Sequence, residues 1–179
     1  MLDHQLFRLV KQVVDAQLVF AGLPGVVLVQ SFQPIRQGVE TAASAYMCKL
    51  HDIRDGYPHE EFVWDEENEI ETKTQTQVIR STFQITALNP PQPANNTQYT
   101  ASDIANLLAS TLQSVTAIEM FTAQNVGILN ITEIRNPFFL DDRDRWEASP
   151  SFDFTLTHKQ ILTGSSPTIE EVDFITLAV

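Results

Sequence analysis

The chain of 179 residues has one cysteine, Cys48, so no disulfide can form within it, and no second cysteine stands near enough to suggest a paired-cysteine metal site. No apolar run approaches the roughly 20 residues that a bilayer-spanning helix needs. The first ten residues carry Asp3, His4 and Arg8 among their apolar neighbours, which breaks the apolar centre of a signal peptide. Basic residues are scarce: 11 Lys and Arg stand against 23 Asp and Glu, for a formal charge of -12 and a pI near 4.5. That balance argues against a protein that binds nucleic acid by neutralising phosphates, and against anionic membranes. An acidic surface facing DNA would instead repel it and keep it from sticking. With 43% hydrophobic residues the chain can still bury a substantial core within one domain.

Signatures of catalysis are also missing. There is no phosphate loop, dinucleotide fingerprint or nucleophile elbow, and Gly22-Leu23-Pro24-Gly25 reads as a turn. Cys48 has His51 and Asp52 near it in sequence, but on a regular strand residues 48 and 51 point to opposite faces, so Cys48 reads as a packing residue. The best metal candidates are His51, Asp52, Asp55, His59, Glu60 and Glu61, whose spacing matches no standard zinc pattern. Asp141, Asp142 and Asp144 alternate with Arg143 and Arg145 and lack a closing acid for a calcium loop, so they read as a salt-bridged turn. No metal or cofactor is expected.

What is present is a clear succession of elements. Leu2, Leu6, Leu9, Val10, Val13 and Val14 recur at helical spacing and predict a surface helix ending near Gly22. Val26 to Val29 reads as a strand or as an extended segment on the core. Ala43 to Ile53 is a plausible strand, Asp55-Gly56-Tyr57-Pro58 a turn, and Glu60 to Glu71 a solvated acidic loop or a hairpin tip. Ile79, Ser81, Phe83, Ile85 and Ala87 alternate with polar residues, so the odd-numbered set faces a core.

Pro90 to Asn96 is a loop. Thr100 with Asp103 forms a capping box that opens a helix whose stripe is Ala101, Ile104, Ala105, Leu108, Leu112 and Val115. Gly127 to Arg135 reads as a strand, and Phe152, Phe154 and Leu156 face inward in the last one, after Trp146-Glu147-Ala148. Asp173 to Val179 carries a further apolar strand signal, with residues 163–179 as a possible extension of the single domain 1–179. The fold class expected is α+β, a largely antiparallel central sheet with two main helices on one face.

This order, a strand closing at Phe83 to Ala87, a helix from Ala101, a strand from Gly127 and the strand led by Arg145-Trp146-Glu147-Ala148, resembles the phage neck or tail terminator family over roughly residues 40 to 162. The resemblance implies a non-enzymatic virion protein, assembled in the host cytoplasm. It implies a homo-oligomeric ring, usually a hexamer, that ends the tail tube and meets the head-completion proteins. Double-stranded DNA passes through such a ring without specific binding, and no membrane is involved. Candidate interface residues are Arg143, Arg145, Trp146, Phe174 and Leu177. Trp146 reads equally as a cover for the sheet's end, and the apolar residues of the last segment, Phe174, Ile175, Leu177 and Val179, fall on both sides of a strand pattern. Glu60, Glu61, Asp65, Glu66 and Glu67 are candidates for the lumen or for a contact with the adjoining ring. A non-catalytic adaptor or small-ligand binding domain, and a metal-dependent hydrolase using the His51 to Glu61 cluster, are the competing classes.

Overall fold

Leu6, Leu9, Val10, Val13, Val14 and Leu18 are all buried, so α1 (Asp3–Phe20) lays one apolar stripe on the rest of the molecule, as its spacing requires. Leu2 precedes the helix and is exposed, outside that stripe. The structure, a computed structural model, describes residues 1–20, 25–31, 43–68, 70–89, 98–140 and 146–167, with the main chain only at 139, 140, 146, 147, 166 and 167. The other elements are β1 (Val27–Gln30), β2 (Ser44–Asp65), β3 (Ile70–Leu88), α2 (Ala101–Leu112), α3 (Val115–Thr122), β4 (Gly127–Ile131), β5 (Phe138–Leu140), β6 (Trp146–Ala148) and β7 (Ser151–Pro167).

Five strands form one sheet in the order β1-β2-β3-β7-β4, and β5 pairs with β6 separately. Only the β1–β2 pair is parallel; the other neighbours are antiparallel. The expected α+β class with a mostly antiparallel sheet is what forms. Register sets the core: Phe83 lies opposite Phe154, Ile85 opposite Phe152 and Met47 opposite Ile85, and all five are buried. The odd-numbered face of β3 and the Phe152, Phe154, Leu156 face of β7 are therefore those the alternation indicates. Three helices cover this face, one more than the two main helices expected. The opposite face is polar and internally bonded, with Thr82 to Thr155 at 3.1 Å, Gln84 to Asp153 at 2.9 Å and Arg135 to Asp153 at 2.8 Å.

The second helix is shorter than its stripe suggests. The Thr100 capping box forms, with the Thr100 amide donating to Asp103 Oδ2 at 2.8 Å and the Asp103 amide donating to Thr100 Oγ1 at 3.1 Å. The helix ends at Leu112, however, because Ser114 turns the chain and caps α3 by accepting from the Ala117 amide at 3.1 Å. Val115, assigned to the buried stripe by spacing, is 72% exposed at the start of α3, and Ala117 and Phe121 are buried instead.

Two further corrections concern β2. The strand does not stop at Ile53, nor does the chain turn at Asp55 to Pro58. It runs on to Asp65, and the reversal comes at residues 66–68. Register breaks between Lys49 and His51, and again between Asp55 and His59, where Gly56 adopts a φ of 64°, the left-handed region that glycine enters without a Cβ penalty. The turn-forming residues thus make a bulge within a strand. Gly127 to Arg135 is also shorter as a strand, since β4 ends at Ile131 and Arg135 meets Ser151 through an isolated bridge.

Candidate functional site

Past Val78 the sheet leaves the helices behind. β2, β3 and β7 continue together as a three-stranded ribbon, β3 running eight residue steps from Val78 to Ile70, about 26 Å at a strand's rise of roughly 3.3 Å per residue. This arm has two uncovered faces. The register places Phe62, Trp64 and Leu162 on the face continuous with the helical side, and Val63 and Ile161 on the other. All five are about half exposed or more. A narrow ribbon has no partner layer of its own in which to bury such groups, so they constitute a surface awaiting cover.

The acidic residues expected at a lumen or ring contact are at the arm's distal end, and they differ in what they do. Glu60 is paired with Lys73 at 2.9 Å and accepts from Gln75 at 2.6 Å, and these bonds hold its carboxyl below the usual range. Lys73 also sits 5.3 Å over the Phe62 ring. Asp65 shapes the reversal, accepting from the Asn68 side chain at 2.8 Å and from the Glu67 and Asn68 amides, which lowers its pKa. Glu61, Glu66 and Glu67 are exposed, with no side-chain partner among the described residues.

A polar network pins the arm's root to α1. Lys49 Nζ donates to Asp3 and to Asp52, each at 2.6 Å. Ser81, fully buried, donates to Asp52 at 2.6 Å and lies 3.1 Å from His158 Nε2. The N-terminal ammonium takes the Lys159 carbonyl at 3.1 Å. Burial opposes the charge on Asp52, but bonds from Lys49 and Ser81 outweigh it and the carboxyl is held below its ordinary range. An open groove of about 1190 Å³ runs past the network, lined among others by Met1, Phe7, Lys49, Arg54, His158 and Gln160.

Asp, Ser and His are in contact here, yet not in the order catalysis needs. Ser81 gives its one proton to Asp52, so the imidazole must donate to Ser81 rather than accept from it, and no base activates the hydroxyl. His158 Nδ1 is left buried without a partner.

Burial, then the nearby ammonium, pushes the His158 pKa below its ordinary 6.5. The unfolded chain therefore binds this proton more readily than the folded one, and stability rises with pH across the interval below 6.5. Lowering the pH from 7 towards 5 is expected to lower the melting temperature, and the decline should be shallower in His158→Gln. Parallel pH profiles of the two proteins would expose an unlinked histidine.

The bulge at Leu50 reverses the expected relation of Cys48 and His51: paired with Gln84 and Thr82, they share the outer face. Burial raises the Cys48 thiol pKa, which disfavours a thiolate nucleophile. His51 and Asp52 now lie on opposite faces, and the His51 to Glu61 cluster is strung along an extended strand. No three His, Cys, Asp or Glu side chains gather as a possible metal site among the described residues. Trp146 pairs through its main chain with Leu140. Arg143, Arg145, Phe174 and Leu177, with Asp141, Asp142, Asp144 and Pro90 to Asn96, lie outside the described residues. The sequence reading passed over Phe62, Val63, Trp64, Ile161 and Leu162; the three consecutive apolar residues inside an acidic stretch were the available signal.

No helix among the described residues is long and apolar enough to cross a membrane. A family model described as E217 gateway protein gp29 matches residues 5–168. A search of curated proteins found no match.

Proposed function

This chain belongs to the family of the E217 gateway protein gp29, a phage head-tail gateway family, and from that membership we propose that it is a subunit of a closed ring in the virion neck. The family is one of structural proteins of the neck. In the finer reading the ring ends the tail tube, offers its other side to the head-completion proteins, and passes double-stranded DNA through its hole. Its copy number, by the resemblance, is six. No bond is made or broken.

The observation that supports this most is the arm, which carries five large apolar residues into solvent on two faces while the core is closed by the helices. Each subunit of a rotationally closed ring needs two different patches, and the arm supplies two. Its distal carboxylates, Glu61, Glu66 and Glu67, add to the formal charge of -12 and repel phosphate, which suits a conduit. The interface set of Arg143, Arg145, Trp146, Phe174 and Leu177 belongs to the same proposal.

Native mass spectrometry with negative-stain microscopy tests the reading. The expected particle is an annulus several times the 20.1 kDa subunit. A monodisperse monomer, both alone and with the neighbouring neck proteins, would sink it.

A further inference from the structure

The two long sides of the arm differ in their main chains. β4 covers the edge of β7 only as far as Thr157, opposite Gly127, and the N-terminal ammonium takes the carbonyl of Lys159. Beyond that point no other described strand pairs with this edge. Ser151 exchanges both backbone bonds with Arg135, and the Asp153 carbonyl accepts from the Thr132 amide, so odd-numbered residues of β7 aim their main chain away from β3. The β3–β7 register is unbroken from Ser151 to Pro167, which carries the alternation to the tip. The N–H and C=O groups of Ile161, Thr163 and Ser165 therefore point outward.

Nothing guards this edge. From Lys159 to Ser166 it has no acid, no proline and no bulge, and Ile161 and Leu162 are exposed on opposite faces. A straight, neutral, partly apolar edge is a template for another strand. The β2 side is different: it carries two register breaks and Pro58, then becomes regular from His59 to Asp65, with Glu60, Glu61 and Asp65 along it. Even-numbered residues of β3 bond β2 there, through His59, Glu61, Val63 and Asp65, which leaves the main chains of Glu60, Phe62 and Trp64 facing out.

We infer that the β7 edge from Lys159 to Ser165 is a strand-addition site for a second copy of this chain, which enters it with its β2 segment from His59 to Asp65. The inference rests on the ring reading and names the contact that builds the ring. Charge selects the pairing, since two β2 edges would set carboxylates against each other whereas β7 offers Lys159 and no acid. Direction agrees as well: β2 and β7 both run from the core to the tip, so arms related by rotation pair in parallel. Each copy then gives one edge and receives on the other, which is the heterologous contact that closes on itself.

Thr163→Pro in the full chain removes one outward N–H and leaves the bonds to β3 in place, a substitution that strand edges tolerate. The expected result is a monomer with the wild-type circular dichroism spectrum, while Thr163→Val still forms the ring. A ring of unchanged mass in Thr163→Pro would overturn the inference and leave the ring reading intact. Should Thr163→Pro misfold, cross-linking decides. On a Cys48→Ser background, Glu61→Cys with Thr163→Cys and a short bifunctional maleimide should give a ladder beyond dimers, and neither cysteine alone should give one. An absent ladder, or dimers from Thr163→Cys alone, which would mean two-fold β7–β7 pairing, overturns it. A wild-type protein that never assembles overturns both readings.

Discussion

Replacing Gly56 to Gln77 by a two-residue Asn-Gly turn between Asp55 and Val78 is expected to abolish assembly while the body stays folded. Asp55 and Val78 are register partners, so a tight hairpin turn can join them where the bulge now begins. None of the buried hydrophobic residues lies between residues 56 and 77, and the aromatic and aliphatic core is untouched. The loss on the assembly side is large, because Phe62, Val63 and Trp64 go together and buried aromatic anchors commonly contribute about 2 kcal/mol or more each to an interface. Removing even two such anchors weakens association by about 1,000-fold or more. Sedimentation velocity at rising concentration reads this directly. A shortened protein that still forms the wild-type particle would move the interface to the body.

Phe83→Ala carries the largest effect expected on folding. Phe83 has no exposed surface; its ring meets Phe7 of α1 edge-on at 5.3 Å and stacks on Phe154 of β7 at 5.5 Å. Truncation removes the contact between three elements at once and opens a cavity that a central strand cannot collapse to fill. The cost is about 3–5 kcal/mol, against a total stability of about 5–15 kcal/mol for a domain. At about 2–4 °C per kcal/mol, the melting temperature should fall by roughly 6–20 °C. Urea denaturation with an unchanged slope would assign the loss to the native core. A shift in midpoint corresponding to less than about 1 kcal/mol would mean that α1 and β7 do not meet through this ring.

The core was legible because its signals are local and periodic. The odd-numbered face of β3, the Phe152 to Leu156 alternation, the stripe of α1 and the Thr100 capping box each lie within a few residues of one another, and each forms. The corrections fall where one residue changes the phase. Leu50 continues an alternation by eye, yet as the extra residue of a bulge it inverts the face of everything after it, Cys48 and His51 included. Gly56 and Pro58 are turn formers, but a tertiary ladder with β3 kept the strand going and absorbed them as an irregularity. Ser114 shows the reverse case, a single cap residue ending a stripe that hydrophobic spacing would have prolonged through Val115.

The arm was the least legible part for a related reason. Glu60, Glu61, Asp65, Glu66 and Glu67 dominate the local charge and conceal Phe62, Val63 and Trp64, while Gly164, Ser165 and Ser166 give β7 no propensity to continue. These segments are strands because three of them pair, a condition that no one segment encodes.

β3 is a single piece from Leu88 beneath the helices to Ile70 at the tip, and its ladder to β7 has no slip along the whole shared length. A push on the tip is therefore transmitted as bending of a cantilever whose clamp is the aromatic stack at Phe83. Compliance is confined to the β2 side, whose two irregularities let that strand stretch or shear without tearing its neighbours. The same backbone that shapes the subunit thus makes it a stiff lever between the particle's moving parts and its core.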